Sequence, residues 1–390
     1  MKNRKGEFLA VEDIENFFEE HKLTENNRNE VFVIDASLGN ENNSNITVVF
    51  SSKTCLKNLD RAANTTSPML AIDGTFKVNS LGYPLLCLTT QDMNHRIFPI
   101  AFAPCSSECE ESISFVLKAV KKAYKLLYKK DLSIHYFMSD CAAYIFFSVS
   151  SNLKPLKGHL SCYFHIKENQ RKKNLAEHQV AKEDRQAILS HIEIMHTMFN
   201  EAFFLKYWSL FKEKYKQYQK YLEYFESTYI HSVCNKWHYF DVVPNTFLTN
   251  NISESLNAMI KRDWTNRERK PLHLFFATLV EGIKDLSKAK KLFQNEVNIT
   301  TEMKIKATKL AEKDLFVKKG NYYFLKKIGD DKIDISIVER FLQLNYQDVN
   351  DLKNDYNRMH ILAWNNSTKS AICYCTRGFK FGVCAHKLAL

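Results

Sequence analysis

Two apolar runs that each end in an aspartate, Met69-Leu-Ala-Ile-Asp73 and Ile134-His-Tyr-Phe-Met-Ser-Asp140, constrain this chain most. Each is short and bounded, so each reads as a strand that closes on a carboxylate. Between them, Pro84-Leu-Leu-Cys-Leu-Thr-Thr90 and Ile97-Phe-Pro-Ile-Ala-Phe102 follow at meander spacing. Residues 111–128 then carry Ile113, Val116, Leu117, Val120, Tyr124 and Leu127, the three-four period of an amphipathic helix. Leu160-Ser-Cys-Tyr-Phe164 predicts one more strand. Upstream, Val31-Phe-Val-Ile-Asp35 and Ile46-Thr-Val-Val-Phe50 predict two strands around an Asn-rich turn, after a short helix over Val11–His21. Strands in succession followed by helical crossovers build a mixed sheet with helices on its faces. The expected fold is therefore α/β.

From residue 167 the texture turns charged and helical. The stripe Tyr215, Tyr218, Tyr221, Tyr224 and Phe225 predicts core packing between helices. Residues 249–262 and 272–286 predict two further helices, and Tyr322 to Leu325 a short strand. The charge balance, 55 Lys and Arg against 44 Asp and Glu, leaves +11 and suits a polyanionic partner. A composition 45% hydrophobic and 25% charged excludes collagen-like, disordered and disulfide-scaffold chains. No apolar stretch approaches the roughly 18 residues of a membrane span, and no secretory leader is expected. The ten cysteines then read as reduced thiols of an intracellular protein, or as metal ligands where they cluster.

If the two Asp-ended strands are neighbours, Asp73 and Asp140 converge, and a cation is the natural third party to two carboxylates. Hard oxygen ligands favour Mg²⁺ or Mn²⁺. A third carboxylate, Glu254, lies in Thr249-Asn-Asn-Ile-Ser-Glu-Ser-Leu-Asn257, a helix capped by Asn250 or Asn251 that presents Glu254, Asn257 and Lys261 on one face, the acid to touch metal and Asn257 and Lys261 to bind nucleic acid. Downstream, Lys261, Arg262, Arg267, Arg269 and Lys270 interleave with Trp264, the mixture of a nucleic-acid surface. At the C-terminal end, Cys373, Cys375, Cys384 and His386 give C-x-C-x8-C-x-H, a spacing that closes a tetrahedral Zn²⁺ site.

Four motifs in order, Ile72-Asp-Gly-Thr-Phe-Lys77 with Tyr83-Pro-Leu-Leu86, Ser139-Asp140, Cys162-Tyr-Phe-His165 and Asn250-Asn-Ile-Ser-Glu-Ser-Leu-Asn257, resemble those of the Mutator-like (MULE) DDE transposases. The resemblance implies a ribonuclease-H-like domain over 65–290 with a helical insertion at about 167–245. It implies a metal-binding triad of Asp73, Asp140 and Glu254 that hydrolyses a DNA strand and transfers the freed 3′-OH. His165 would contact the scissile phosphate or position water, with Lys167, Arg171, Lys172 and Lys173 following the backbone. Cys162 and His165 could instead be half of a zinc site. The tail, 356–390, resembles a SWIM-type zinc finger, leaving an N-terminal α+β region at 1–64 and a connector at 291–355. Many family members carry an N-terminal zinc-binding recognition module, and residues 1–68 hold the single Cys55. A domesticated, non-catalytic DNA- or protein-binding factor is therefore the alternative to an active transposase. The expected partner is DNA, with no membrane; a homo-oligomer is an open option, and the expected compartment is the nucleus.

Overall fold

The structure, a computed structural model, describes residues 31–40, 43–244, 251–289 and 291–390, with Glu19, His21 and Leu23. Most of the helix expected over Val11–His21, and the caps expected of Asn250 and Asn251, lie outside the described residues and side chains. The chain forms two compact units, Met1–His159 with Thr249–Asn295, and Leu160–Leu248 with Glu296–Leu390.

The first unit is built on a mixed sheet of seven strands, ordered β1-β2-β5-β4-β3-β6-β7. The strands are β1 (Val31–Asn40), β2 (Asn43–Ser52), β3 (Met69–Thr75), β4 (Leu85–Gln91), β5 (Ile97–Pro104), β6 (Tyr136–Ser139) and β7 (Gly158–Ser161). Chain order and hydrogen bonding agree with the expected meander: β3 pairs antiparallel with β4, β4 with β5, and β3 runs parallel to β6. Alternation along β3 divides its side chains between two layers. Leu70 and Ile72 face a core closed by helices α1 (Lys53–Ala63), α2 (Glu110–Tyr128) and α3 (Ala143–Asn152). On the other face, Val33, Phe50, Leu85, Cys87 and Phe102 pack against α4 (Asn251–Met259) and α5 (Leu272–Lys288).

Helix α2 starts one residue before its expected position. Glu110 and Glu111 occupy its first turn, where the partial positive charge of the amides favours carboxylates, and Lys129 ends it in the left-handed region at φ 57°. The strand expected over 160–164 is shorter than its sequence suggests. It stops at Ser161, and Tyr163 opens a helix, Tyr163–Asn169, in which its ring stacks on His196 at 3.7 Å. Packing there outweighs the strand preference of two aromatic residues.

The second unit is helical around an aromatic core, with helices Lys182–Thr197, Glu201–Lys214 and Gln219–Phe225. Tyr215, Tyr221 and Phe225 of the expected stripe are buried. A four-stranded sheet, β11-β10-β9-β8, is made from β8 (Val317–Lys319), β9 (Tyr322–Lys326), β10 (Met359–Asn365) and β11 (Ser370–Cys373). Within this unit Tyr239 stacks on Phe379 at 4.1 Å, so the aromatic core reaches the Cys-rich tail.

Candidate functional site

The parallel register pairs Met69 with Tyr136, Leu70 with Phe137 and Ala71 with Met138. Carried two places further, it sets Asp73 level with Asp140, and their carboxylate oxygens lie within 4.8 Å of each other. Asp73 is buried at 9% exposure inside β3, while Asp140 is half-buried just past the end of β6. Two carboxylates this close repel unless a cation or a proton joins them. Across the ladder Asp73 faces Cys87, and burial, with Asp73 adding to it, pushes that thiol well above its ordinary value.

Helix α4 is pinned over this rung by two side chains one turn apart. Ser253 Oγ lies 3.2 Å from Thr89 Oγ1, and Asn257 Nδ2 donates to Asp73 Oδ2 at 2.8 Å. Glu254 lies on the same helix about 60° around from Asn257. It is half-buried, and among the described residues it does not complete a group of three with Asp73 and Asp140 inside 4.8 Å. Asn257 is buried rather than exposed to solvent as a DNA contact would be.

A further carboxylate escaped the sequence reading. Glu108 lies against Gly74, where an added Cβ would come 2.6 Å from Glu108 Oε2. Burial raises its pKa, the Tyr144 hydroxyl opposes this by hydrogen bonding to it, and the Asp140 charge raises it further. The one trace of this in the sequence is a residue without a side chain directly after Asp73.

The expected basic residues separate into two kinds. In the second unit, Arg171 and Lys172 both pair with Glu168, Lys167 with Glu193 at 3.0 Å, and Lys173 with Glu177 at 3.7 Å. In the first unit Arg262 pairs with its neighbour Asp263, and Lys261 is half-buried. Arg267 and Arg269 are exposed, and among the described residues neither has an acidic partner. Their loop is tied down by backbone bonds from Ser80 to Lys270 O and from Lys270 to Val78 O. Trp264 departs from its expected place on this surface. It ends a π-helical turn, Ile260–Trp264, and packs at 5.4 Å from Phe102, with Gly282 leaving room for its indole.

In the second unit His165 lies on the helix Tyr163–Asn169 and is half-buried; Cys162, just before that helix, is buried. Cys162 joins no group of three or more metal-type side chains among the described residues.

Cys373, Cys375, Cys384 and His386 gather with all ligand atoms within 4.8 Å of one another. Cys373 ends β11, and the other two cysteines cap short helices, where Gly378 N donates to Cys375 Sγ at 3.2 Å and Lys387 N to Cys384 Sγ at 3.4 Å. Such N–H donors stabilise thiolate, the form that binds metal. Hydrogen bonds from the other two thiols hold Cys384 well below the usual thiol range, while Cys373 is pushed well above it. His386 Nδ1 is 3.7 Å from Cys373 Sγ. Three thiols and an imidazole at these separations fit a tetrahedral zinc.

A pair of carboxylates on adjacent parallel strands of a mixed, helix-covered sheet is the plan of the ribonuclease-H-like class. Within it, residues 69–169 match the family model of the MULE transposase domain, so this stretch is a MULE transposase domain. The match takes in Asp73, Asp140 and His165 and stops short of Glu254 and the Cys/His tail. The match supports a function of the transposase type, with DNA as the partner. No curated protein matches the chain. Among the described residues no helix is long and apolar enough to cross a membrane.

Proposed function

We propose that the protein is a transposase, or a transposase-derived nuclease and strand transferase, that works on DNA in the nucleus with a divalent cation held by Asp73, Asp140 and Glu254. The observation that carries this reading is the rung of Asp73 and Asp140, closer than 4.8 Å inside the MULE domain. Hard oxygen donors suit Mg²⁺ or Mn²⁺, which would lower the pKa of water and offset charge on the leaving oxygen of a phosphodiester. The chain's own contributions would be to hold the Asp73 and Asp140 oxygens close together at the β3–β6 register and to supply Glu254 from α4 as the third ligand. His165 keeps the helper role at the phosphate that the resemblance implies. Arg267 and Arg269, with Lys261, Arg262, Lys167, Arg171, Lys172 and Lys173, would neutralise DNA phosphates. The Cys/His centre would hold a structural zinc in a SWIM-type finger over 356–390.

The test is cleavage of supercoiled DNA with Mg²⁺ or Mn²⁺ by the wild type and by Asp140→Asn. Metal-dependent cleavage by the wild type alone supports the reading. DNA binding without cleavage under any metal would favour the non-catalytic factor instead.

A further inference from the structure

We propose that Asn257 is a positioning residue of the carboxylate centre: its amide nitrogen fixes Asp73, and its amide oxygen is offered to the hydration shell of the cation. This rests on the metal-centre reading above and adds a residue to it.

The geometry starts from one buried amide. Asn257 is 7% exposed, and its Nδ2 donates to Asp73 Oδ2 at 2.8 Å. With nitrogen and oxygen exchanged, an amide oxygen would face a carboxylate oxygen, so the charge on Asp73 selects this orientation. The oxygen of the same amide is then left buried, with no hydrogen-bond partner among the described residues. Buried acceptors are nearly always satisfied, because an unmet one forfeits its hydration. A second such atom lies on the same strand as Asp73. Thr75 Oγ1, at 1% exposure, lies two residues along β3 and hence on the same face, also without a partner among the described residues. Two unmet oxygens, one on the amide bound to Asp73 and one on the same strand face, call for a polar occupant that donates hydrogen bonds. A hydrated divalent cation at Asp73 and Asp140 brings such donors.

The two simpler roles fit less well. Docking of α4 is already served by Ser253 on Thr89, and a docking residue gains nothing from an unmet acceptor. A DNA contact needs an exposed group, whereas this amide is buried and committed to Asp73.

The experiment is Mn²⁺ titration of the full, zinc-loaded chain, followed by electron paramagnetic resonance and calorimetry, for wild type, Asp140→Asn, Asn257→Ala and Asn257→Ser. DNA affinity is measured in parallel in chelator. The expected result is Mn²⁺ affinity about tenfold or more weaker in both Asn257 variants, as outer-shell losses at metal sites give, with DNA affinity unchanged. Mn²⁺ affinity within twofold of wild type overturns the inference, as does loss of DNA affinity with Mn²⁺ binding intact. If neither Asn257 variant folds by circular dichroism, the residue is structural and the inference is also overturned. A wild type whose Mn²⁺ binding is insensitive to Asp140→Asn sinks the metal centre itself. Binding that is sensitive to Asp140→Asn but not to Asn257 sinks this inference alone.

Discussion

Asp73, inside β3, and Asp140, just past the end of β6, are 67 residues apart in sequence and within 4.8 Å in space. Their charges oppose each other until a cation joins them. Mn²⁺ should therefore raise the melting temperature of the wild type, by the equivalent of about 2.7 kcal/mol at a hundredfold excess over Kd. Asp140→Asn should show no such rise, and in chelator it should be at least as stable as the wild type. Calorimetry with and without Mn²⁺ reads both; an equal shift in the two proteins would refute the shared site.

The DNA surface should be uneven. Arg171 and Lys172 already share Glu168, whereas Arg267 and Arg269 are exposed and have no acidic partner among the described residues. The double change Arg267→Ala with Arg269→Ala should weaken DNA binding on unrelated sequences alike and reduce the salt slope by roughly two. Arg171→Ala with Lys172→Ala should do less. Binding isotherms over a salt series decide the order.

Metal analysis should find about one zinc per chain, lost on Cys373→Ser. Gly378 offers a finer probe, because a Cβ there would come 2.7 Å from Cys373 Cβ and 2.9 Å from Cys384 Sγ. Gly378→Ala should surrender zinc at about tenfold lower chelator concentration. Zinc retention equal to wild type would show that the ligands are not held where we place them.

Acid should destabilise the second unit through two buried imidazoles. Burial pushes His191 and His196 down from 6.5 to about 3. Between those values the unfolded chain binds two protons that the folded chain refuses, so their contribution is whole above pH 6.5 and falls as pH drops. The expected loss is about 2–3 kcal/mol per pH unit below pH 6. His196→Asn, which keeps a donor for the Trp237 carbonyl, should reduce the slope in urea unfolding by about 1.4 kcal/mol per pH unit; an unchanged slope would exclude His196 as a source.

What the sequence made legible was periodic or terminal. The three-four repeat placed α2 to within one residue, and the two Asp-ended runs became adjacent parallel strands. Cys373, Cys375, Cys384 and His386 gather as their spacing implied. Side-chain contacts across long separations were not legible. The bond from Asn257 to Asp73 joins residues 184 apart, and Glu108 nests on Gly74 through tertiary packing. Trp264 misled because a basic-aromatic run looks the same whichever way the aromatic ring turns. Here the π-helical turn directs it to Gly282 and the core.

The core layer that covers one face of the first unit's sheet draws on both ends of an interrupted stretch of chain: Val33, Phe50 and Phe102 come early, Leu256, Phe276 and Ile283 late. On a ribosome adding roughly 5–20 residues per second, the last of these follows Phe102 by roughly 180 residues, or about ten to forty seconds. For that interval a nascent sheet has one apolar face without its cover. The segment of the second unit that intervenes, Leu160–Leu248, must also await its own C-terminal half. Synthesis of this protein is thus a period of exposure in which holding chaperones have a target: the first unit is complete only when about half of the second has been made, and the second only after the whole of the first.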